Sequence, residues 1–217
     1  MDQHYFRQKI NITDNQFSNL VIYANLLEKW QKSFNLVGPN TLMHLWSRHF
    51  LDSAQLLGLV QKNSNHQKGV TWLDFGAGAG FPGLIISILG GGKVNLVESC
   101  GKKCSFMRAV IRETGNSAVV HQERIEDLKP FNVDIITARA LAPLKNLLRF
   151  SEPFVSQKVE LWYLKGQDVD DELAEATKYW NADIDKYSSQ TNRAGTILCL
   201  RNLSRVIQKN KSEKYNK

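Results

Sequence analysis

Cysteine is scarce in this 217-residue chain, and its number is odd: Cys100, Cys104 and Cys199. Such a set does not build a disulfide framework. Cys100 and Cys104 stand four apart with no second Cys or His pair beside them, which argues against a zinc site. Free thiols in a reducing compartment are the expectation, with no metal. Long apolar runs are missing too; none approaches the roughly 18 residues a membrane span needs. The opening Met1-Asp2-Gln3-His4-Tyr5 lacks the basic-then-apolar order of a secretory signal, so a cytoplasmic address is expected. Internal repeats are absent, and the basic C-terminus is the one biased stretch.

Hydrophobic residues make up 42% and charged residues 23%, the balance of a globular protein with a sizeable core. The length suits one α/β domain with an appendage, or two very small domains. A net charge of +7 favours a polyanionic partner. Part of the surplus collects in Arg201, Arg205, Lys209, Lys211, Lys214 and Lys217, opposed by Glu213 alone. That run reads either as a contact for nucleic acid or as a solvated, frayed end.

The richest stretch is Trp72 to Gly83, Trp-Leu-Asp-Phe-Gly-Ala-Gly-Ala-Gly-Phe-Pro-Gly. An apolar strand reaches Asp74, passes through Gly76, Gly78 and Gly80, and continues into the apolar run Leu84–Leu89 of a buried helix. Glycines at such a turn let the backbone approach a ligand closely, and the following helix start presents unpaired N–H groups. Residues 78–83 spell G-x-G-x-x-G, with Glu98 about 20 residues beyond Gly78, the dinucleotide spacing. Two details argue against NAD. Asp74 directs a carboxylate at the loop, and Pro82 removes an N–H from the helix start. S-adenosylmethionine carries a sulfonium, an ammonium and a ribose diol, so it suits acidic side chains such as Glu98 at the end of the next strand.

Elsewhere, Thr13 and Gln16 form a capping box. Phe17, Leu20, Val21, Ala24, Leu27, Trp30 and Phe34 then recur at helical spacing, predicting a helix over 14–34. Gly38-Pro39-Asn40 breaks the chain, and a second helix is predicted over 42–59. The polar run from Gln61 to Gly69 links these cap helices to the core. From Val70 strands and helices alternate, the pattern of a parallel doubly wound sheet. Strands are predicted at 70–75, 93–98, 117–121, 133–138 and 157–164, and helices at 82–90, 102–114, 143–151 and 168–180. Segments near 182–190 and 194–201 suit an antiparallel hairpin on the sheet edge. The division expected is a helical cap and linker over 1–69, a core over 70–204 and a basic tail over 205–217, in one structural unit.

Several short motifs stand in a particular order: Phe34-Asn35-Leu36-Val37, Arg48-His49-Phe50-Leu51-Asp52-Ser53, the Leu73–Gly83 loop, Gly101-Lys102-Lys103, Ala138-Arg139-Ala140 and Leu164-Lys165-Gly166. In this they resemble the bacterial glucose-inhibited division protein B family, also called RsmG, over about residues 28 to 200. The resemblance implies a class I, Rossmann-like methyltransferase fold with a mostly parallel seven-stranded sheet. It implies methyl transfer from S-adenosylmethionine to N7 of a guanine in the 530-loop region of 16S ribosomal RNA. The partner would be that RNA within the small ribosomal subunit, with the enzyme a monomer.

Carried onto this chain, the family pattern makes Gly76 and Phe81 line the methionine side of the cofactor, with Asp74, Gly78 and Glu98 completing the pocket. Ile125 and Glu126 hold the adenine, and Arg139 anchors the cofactor or a phosphate of the target. The chain has Glu123-Arg124-Ile125-Glu126 where the family has a small residue and Arg-Ala-Glu, and Glu98 where Asp is common. Lys165 follows a strand and reads as an RNA contact or a plain strand-end lysine. Lys102 and Lys103 open a helix, where the dipole disfavours cations, and read as an RNA contact or as a solvated face. His49 and Asp52 share a helix face and read best as a hydrogen bond from cap to core. Guanine N7 carries an in-plane lone pair and no proton, so no general base is expected; placement is the task. An oxidoreductase using NAD and a non-enzymatic assembly factor remain the alternatives.

Overall fold

A computed structural model describes residues 3–66 and 69–207. The tail lysines from Lys209 onward lie outside the described residues. The capping box forms: Thr13 Oγ1 accepts the Gln16 amide at 3.2 Å, and Gln16 Oε1 accepts the Thr13 amide at 2.9 Å. It opens helix α2 (Asp14–Gln31), three residues shorter than its apolar period. A short helix α1 (Gln3–Lys9) precedes it. Phe6 is its one buried residue, so no periodicity announces it.

The expected break at Gly38-Pro39-Asn40 instead opens a helix, α3 (Pro39–Leu42). Pro39 sits at its first position, where a missing N–H costs nothing. The single helix expected over 42–59 is divided. A π-helical turn (Trp46–Leu51) leads into α4 (Asp52–Asn63), which takes up the start of the expected linker.

The rest alternates as the pattern requires. Strands β1 (Thr71–Phe75), β2 (Lys93–Val97), β3 (Val119–His121), β4 (Ile135–Arg139) and β5 (Glu160–Lys165) are parallel. Between and after them lie α5 (Gly83–Ile88), α6 (Gly101–Thr114), α7 (Leu144–Ser151) and α8 (Val169–Ala176). The helix expected to reach 180 stops at Ala176, because the buried Trp180 starts β6 (Trp180–Ser188). Strand β7 (Thr196–Arg205) returns antiparallel and inserts between β5 and β6, giving the order β3-β2-β1-β4-β5-β7-β6. This is a mostly parallel α/β sheet of the Rossmann-like methyltransferase type.

Alternation along each strand feeds two cores, since successive side chains point to opposite faces. Trp72, Trp162, Ile197 and Cys199 face the layer of α5 and α6, while Leu73, Tyr163, Leu198 and Leu200 face α7 and α8. The first layer also receives Phe6, Leu20, Tyr23, Leu27, Phe50 and Leu56 from the N-terminal helices. Those helices therefore cover the same sheet face as α5 and α6. Gln16 adds a polar tie, its Nε2 donating to the Leu89 carbonyl at 2.9 Å.

Candidate active site

The carboxyl ends of β1, β2 and β4 open onto one rim. There Gly76, with φ 60°, turns the chain out of β1 in a conformation costly to residues with a Cβ. A Cβ on Gly76 would also lie 2.5 Å from Leu141 Cδ1. Beyond the loop, Gly83 begins α5, and its amide donates to Asp74 Oδ2 at 3.0 Å. The Thr137 hydroxyl of β4 donates to Asp74 Oδ1 at 2.9 Å. Asp74 is buried, 1% exposed. Burial raises its carboxyl to about 7, against the lowering effect of the Thr137 and Gly83 hydrogen bonds and of Arg139. This corrects the expectation of a ligand-facing Asp74: its two oxygens clamp the loop and helix start to β4 from beneath.

Glu98 follows β2, as the motif requires. Its Oε2 accepts the Gly78 amide at 3.1 Å and its Oε1 accepts the Cys100 amide at 2.8 Å. Lys103 Nζ stands 4.0 Å from Oε2. The same carboxylate thus fixes the shape of the glycine loop and remains on the wall of a cavity of about 340 Å³. Gly76, Lys103, Ile125 and Glu126 join it there, with Ala140 and Leu141 forming the opposite side. Glu98, Gly76, Ile125 and Glu126 are brought together as expected. Gly78 meets them through its amide.

Phe81 differs from its expected place. Its ring is buried and lines neither cavity of this rim. It stacks on Tyr23 (5.4 Å between centroids) and His49 (5.0 Å), and the Arg139 guanidinium carbon lies 4.9 Å from its centroid. The hydroxyl of Tyr23 donates to the Ala79 carbonyl, so α2 holds the glycine loop directly. Burial drives the Tyr23 phenol well above its ordinary range. Apolar packing recruits Phe81 into the cap contact because the loop must be fastened on that side.

Arg139 ends β4 and faces a second cavity of about 450 Å³. The cap pins it. Its Nη1 donates to Asp52 Oδ2 (3.2 Å) and to the Arg48 carbonyl (3.1 Å), and its Nη2 donates to His49 Nδ1 (2.8 Å). Burial lowers His49 to about 3, with Arg139 and Arg48 adding in the same direction, so the ring is neutral. A neutral ring accepting at Nδ1 carries its proton on Nε2, which faces Thr41 Oγ1 at 2.9 Å. The cap-to-core bond anticipated for His49 and Asp52 is therefore present, and Arg139 is its core partner. Asp52 Oδ1 further accepts from Thr191 Oγ1 at 2.6 Å and Gln55 Nε2 at 2.8 Å, while Gln55 Oε1 accepts the Gln190 amide at 2.8 Å. One carboxylate joins the cap, β4 and the β6–β7 turn.

Lys165, at the end of β5, lies on the same cavity, 9% exposed. Its Nζ pairs with Glu172 Oε2 at 2.6 Å and donates to the Ala142 carbonyl at 3.0 Å. Glu172 Oε2 also accepts the Leu144 amide at 2.5 Å, capping α7. Between the cavities runs Ala140-Leu141, which lines both; Ala140 adopts φ 52° to make the turn. Leu141, Thr137, Thr191 and Glu172 carry no motif that marks them. Leu141 directly follows Ala138-Arg139-Ala140 and lies within reach of that signal. Thr191 and Glu172 act through partners 139 and 28 residues away, which no local pattern records.

The chain that builds these two adjoining cavities matches, over residues 16–198, the family described as GidB, rRNA small subunit methyltransferase G. The chain belongs to that family. Proteins named Ribosomal RNA small subunit methyltransferase G are similar throughout. That of Paramagnetospirillum magneticum is 42% identical over 197 residues, covering 91% of this chain and 94% of the relative. That of Caulobacter vibrioides is 41% identical over 210 residues, covering 95% and 94%. Among solved structures, a mutant of MtNAS in complex with S-adenosylmethionine superposes with a TM-score of 0.59 at 16% identity, covering 93% of this chain and 84% of that one. The ribosomal protein L11 methylase of Lactobacillus delbrueckii subsp. bulgaricus gives 0.53 at 18% identity, covering 70% and 78%. At such identities the likeness concerns the fold. Among the described residues no helix is long and apolar enough to cross a membrane, and no group of three or more His, Cys, Asp or Glu is placed to hold a metal.

Proposed function

We propose that the protein transfers a methyl group from S-adenosylmethionine to N7 of a guanine in the 530-loop region of 16S ribosomal RNA, acting as a cytoplasmic monomer on the small ribosomal subunit. The observation that carries this reading is the pair of cavities sharing the Ala140-Leu141 wall, one beside Glu98 and one beside Arg139 and Lys165. The first suits the methyl donor. Gly76 brings no Cβ to the wall, Glu98 supplies carboxylate oxygens for a ribose diol, and Ile125 offers an apolar face to adenine. When bound, S-adenosylmethionine supplies the electrophilic methyl on a sulfonium.

The second cavity suits the acceptor base. N7 has a free lone pair, so the chain has no proton to remove, and its work is placement. His49, the natural base by residue type, is held neutral but gives its Nδ1 lone pair to Arg139 and is stacked on Phe81. Asp74 is sealed beneath the loop. Neither therefore faces the acceptor. Arg139 and Lys165 instead fix the cavity walls, and Arg48, exposed on its edge, faces the RNA side. The major groove of A-form RNA is too narrow for side chains to read, so the target base enters from a loop.

Incubating the protein with radiolabelled S-adenosylmethionine and small subunits from a strain lacking this activity tests the reading. Label should appear at a base cleavable by the borohydride–aniline chemistry specific for 7-methylguanine. Label at another position, or a rise in thermal stability with NAD rather than with S-adenosylmethionine, would refute it.

A further inference from the structure

The second cavity contains two carboxylates, Asp52 and Glu172, and they differ in what they have left to offer. Both oxygens of Asp52 are engaged, Oδ1 by Thr191 and Gln55 and Oδ2 by Arg139. Glu172 spends only Oε2, on Lys165 and the Leu144 amide. Among the described residues no donor reaches its Oε1, and the side chain is 24% exposed on the cavity. A charged acceptor is therefore presented to the space while its other oxygen holds it in place. Beside it, Lys165 has three N–H donors, of which two point at Glu172 and the Ala142 carbonyl.

This order of groups suits one purine edge. Around guanine run the 2-amino donor, the N1–H donor, the O6 acceptor and then N7. A free carboxylate oxygen followed by an ammonium matches the first three, which leaves N7 as the next position along the rim. Adenine presents an acceptor at N1 and a donor at the six position, so both groups would face the wrong partner. A polar site left unpaired rejects its ligand far more strongly than an apolar pocket does. The carboxylate also offsets the positive charge that the purine gains on methylation.

Resting on the function proposed above, we propose that Glu172 is the specificity-determining residue for guanine, its Oε1 accepting from the 2-amino group and N1–H of the target base, with Lys165 aiming it and giving its remaining N–H to O6.

The test measures kcat/KM on reconstituted subunits whose target base is guanine or inosine, which lacks only the 2-amino group. The wild type should prefer guanine by about tenfold to a hundredfold, the worth of one hydrogen bond to a charged acceptor. Glu172→Gln and Glu172→Asp should both lower turnover on guanine and shrink that preference to under about threefold. Their affinity for S-adenosylmethionine, measured by calorimetry, should stay unchanged. Two variants are used because Glu172 also caps α7; Glu172→Asp keeps the charge and shortens the reach. A folded variant that keeps the wild-type guanine preference overturns the assignment, as does a wild type indifferent to the 2-amino group. No transfer at all by the wild type would instead bring down the function on which this assignment rests.

Discussion

The two cavities share a wall and little else. The cavity beside Glu98 is made by the loops that follow successive parallel strands: a glycine turn after β1, an acid after β2, a single turn at Ile125 after β3 and the shared Ala140-Leu141 wall after β4. Backbone conformation and one side chain give its form. The cavity beside Arg139 is assembled from four separated segments, the cap, the end of β4, the end of β5 with α8, and the β6–β7 turn. Paired charges hold these together at Asp52–Arg139 and at Lys165–Glu172. A conformational site fails when an atom is added to it, and an ion-paired site fails when a partner is taken away.

The largest effect should come from adding an atom. Gly76→Ala places a methyl 2.5 Å from Leu141 and forces a positive φ on alanine. Affinity for S-adenosylmethionine should fall at least ~100-fold by titration calorimetry. An affinity near wild type would mean that the first cavity is not built by its backbone.

Removing a partner comes next. Arg139→Ala leaves Asp52, whose side chain is 17% exposed, facing no cation. Urea unfolding should show a loss of about 3 kcal/mol. Changing Asp52 to Ala in the same chain should recover part of it, since an unpaired charge is the costly element. A double variant as unstable as the sum of its parts would deny that the two walls are electrostatically joined.

A pH experiment separates the cavities without touching either ligand. Asp74 is raised from 3.8 to about 7, so its contribution to stability is complete below about pH 3.8 and is lost as pH rises toward 7. His49 is lowered from 6.5 to about 3, so its contribution is complete above about pH 6.5 and is lost as pH falls toward 3. Between about pH 4 and 6.5 the folded chain holds one proton on Asp74 and none on His49, and the unfolded chain the reverse. The two slopes cancel. Asp74→Asn should make stability rise with pH across this window, and His49→Gln should make it fall, each by about 1.4 kcal/mol per pH unit relative to wild type. Parallel curves for all three proteins would show that these protons are not linked to folding.

The smallest effect is expected at the far end of the ion-paired wall. Thr191→Val removes the 2.6 Å bond to Asp52, which keeps its other partners. About 1 kcal/mol of stability should be lost. Transfer to the subunit should suffer more than affinity for the methyl donor, a split that steady-state kinetics resolves.

The same contrast explains what the sequence makes legible. The Thr13 cap, the β1 glycine turn, Glu98 and the alternating strands are local, and each is readable within about twenty residues. The placement of β7 between β5 and β6 and the bond of His49 and Asp52 to Arg139 join distant segments; spacing alone suggests a hairpin and a shared helix face. Asp74 and Phe81 depart from their expected places for one reason. A motif records that a residue type is required but not which side of the loop requires it, and here the cap and β4 use these two side chains from behind. Glu172 and Thr191 carry no signal, because an acid in the first turn of a helix and a threonine in a turn are commonplace without their partners.

The π-helical turn at Trp46–Leu51 immediately precedes Asp52. Such a turn accommodates one more residue than an ordinary helix would over the same rise. Deleting one residue there would let an ordinary turn close over the same rise and leave Asp52 and Gln55 pointing at their partners. The same deletion between Asp52 and Gln55, in the regular winding of α4, would turn Gln55 away by about 100° although the helix stayed intact. The extra residue is therefore slack stored ahead of Asp52, and α4 beyond it has none.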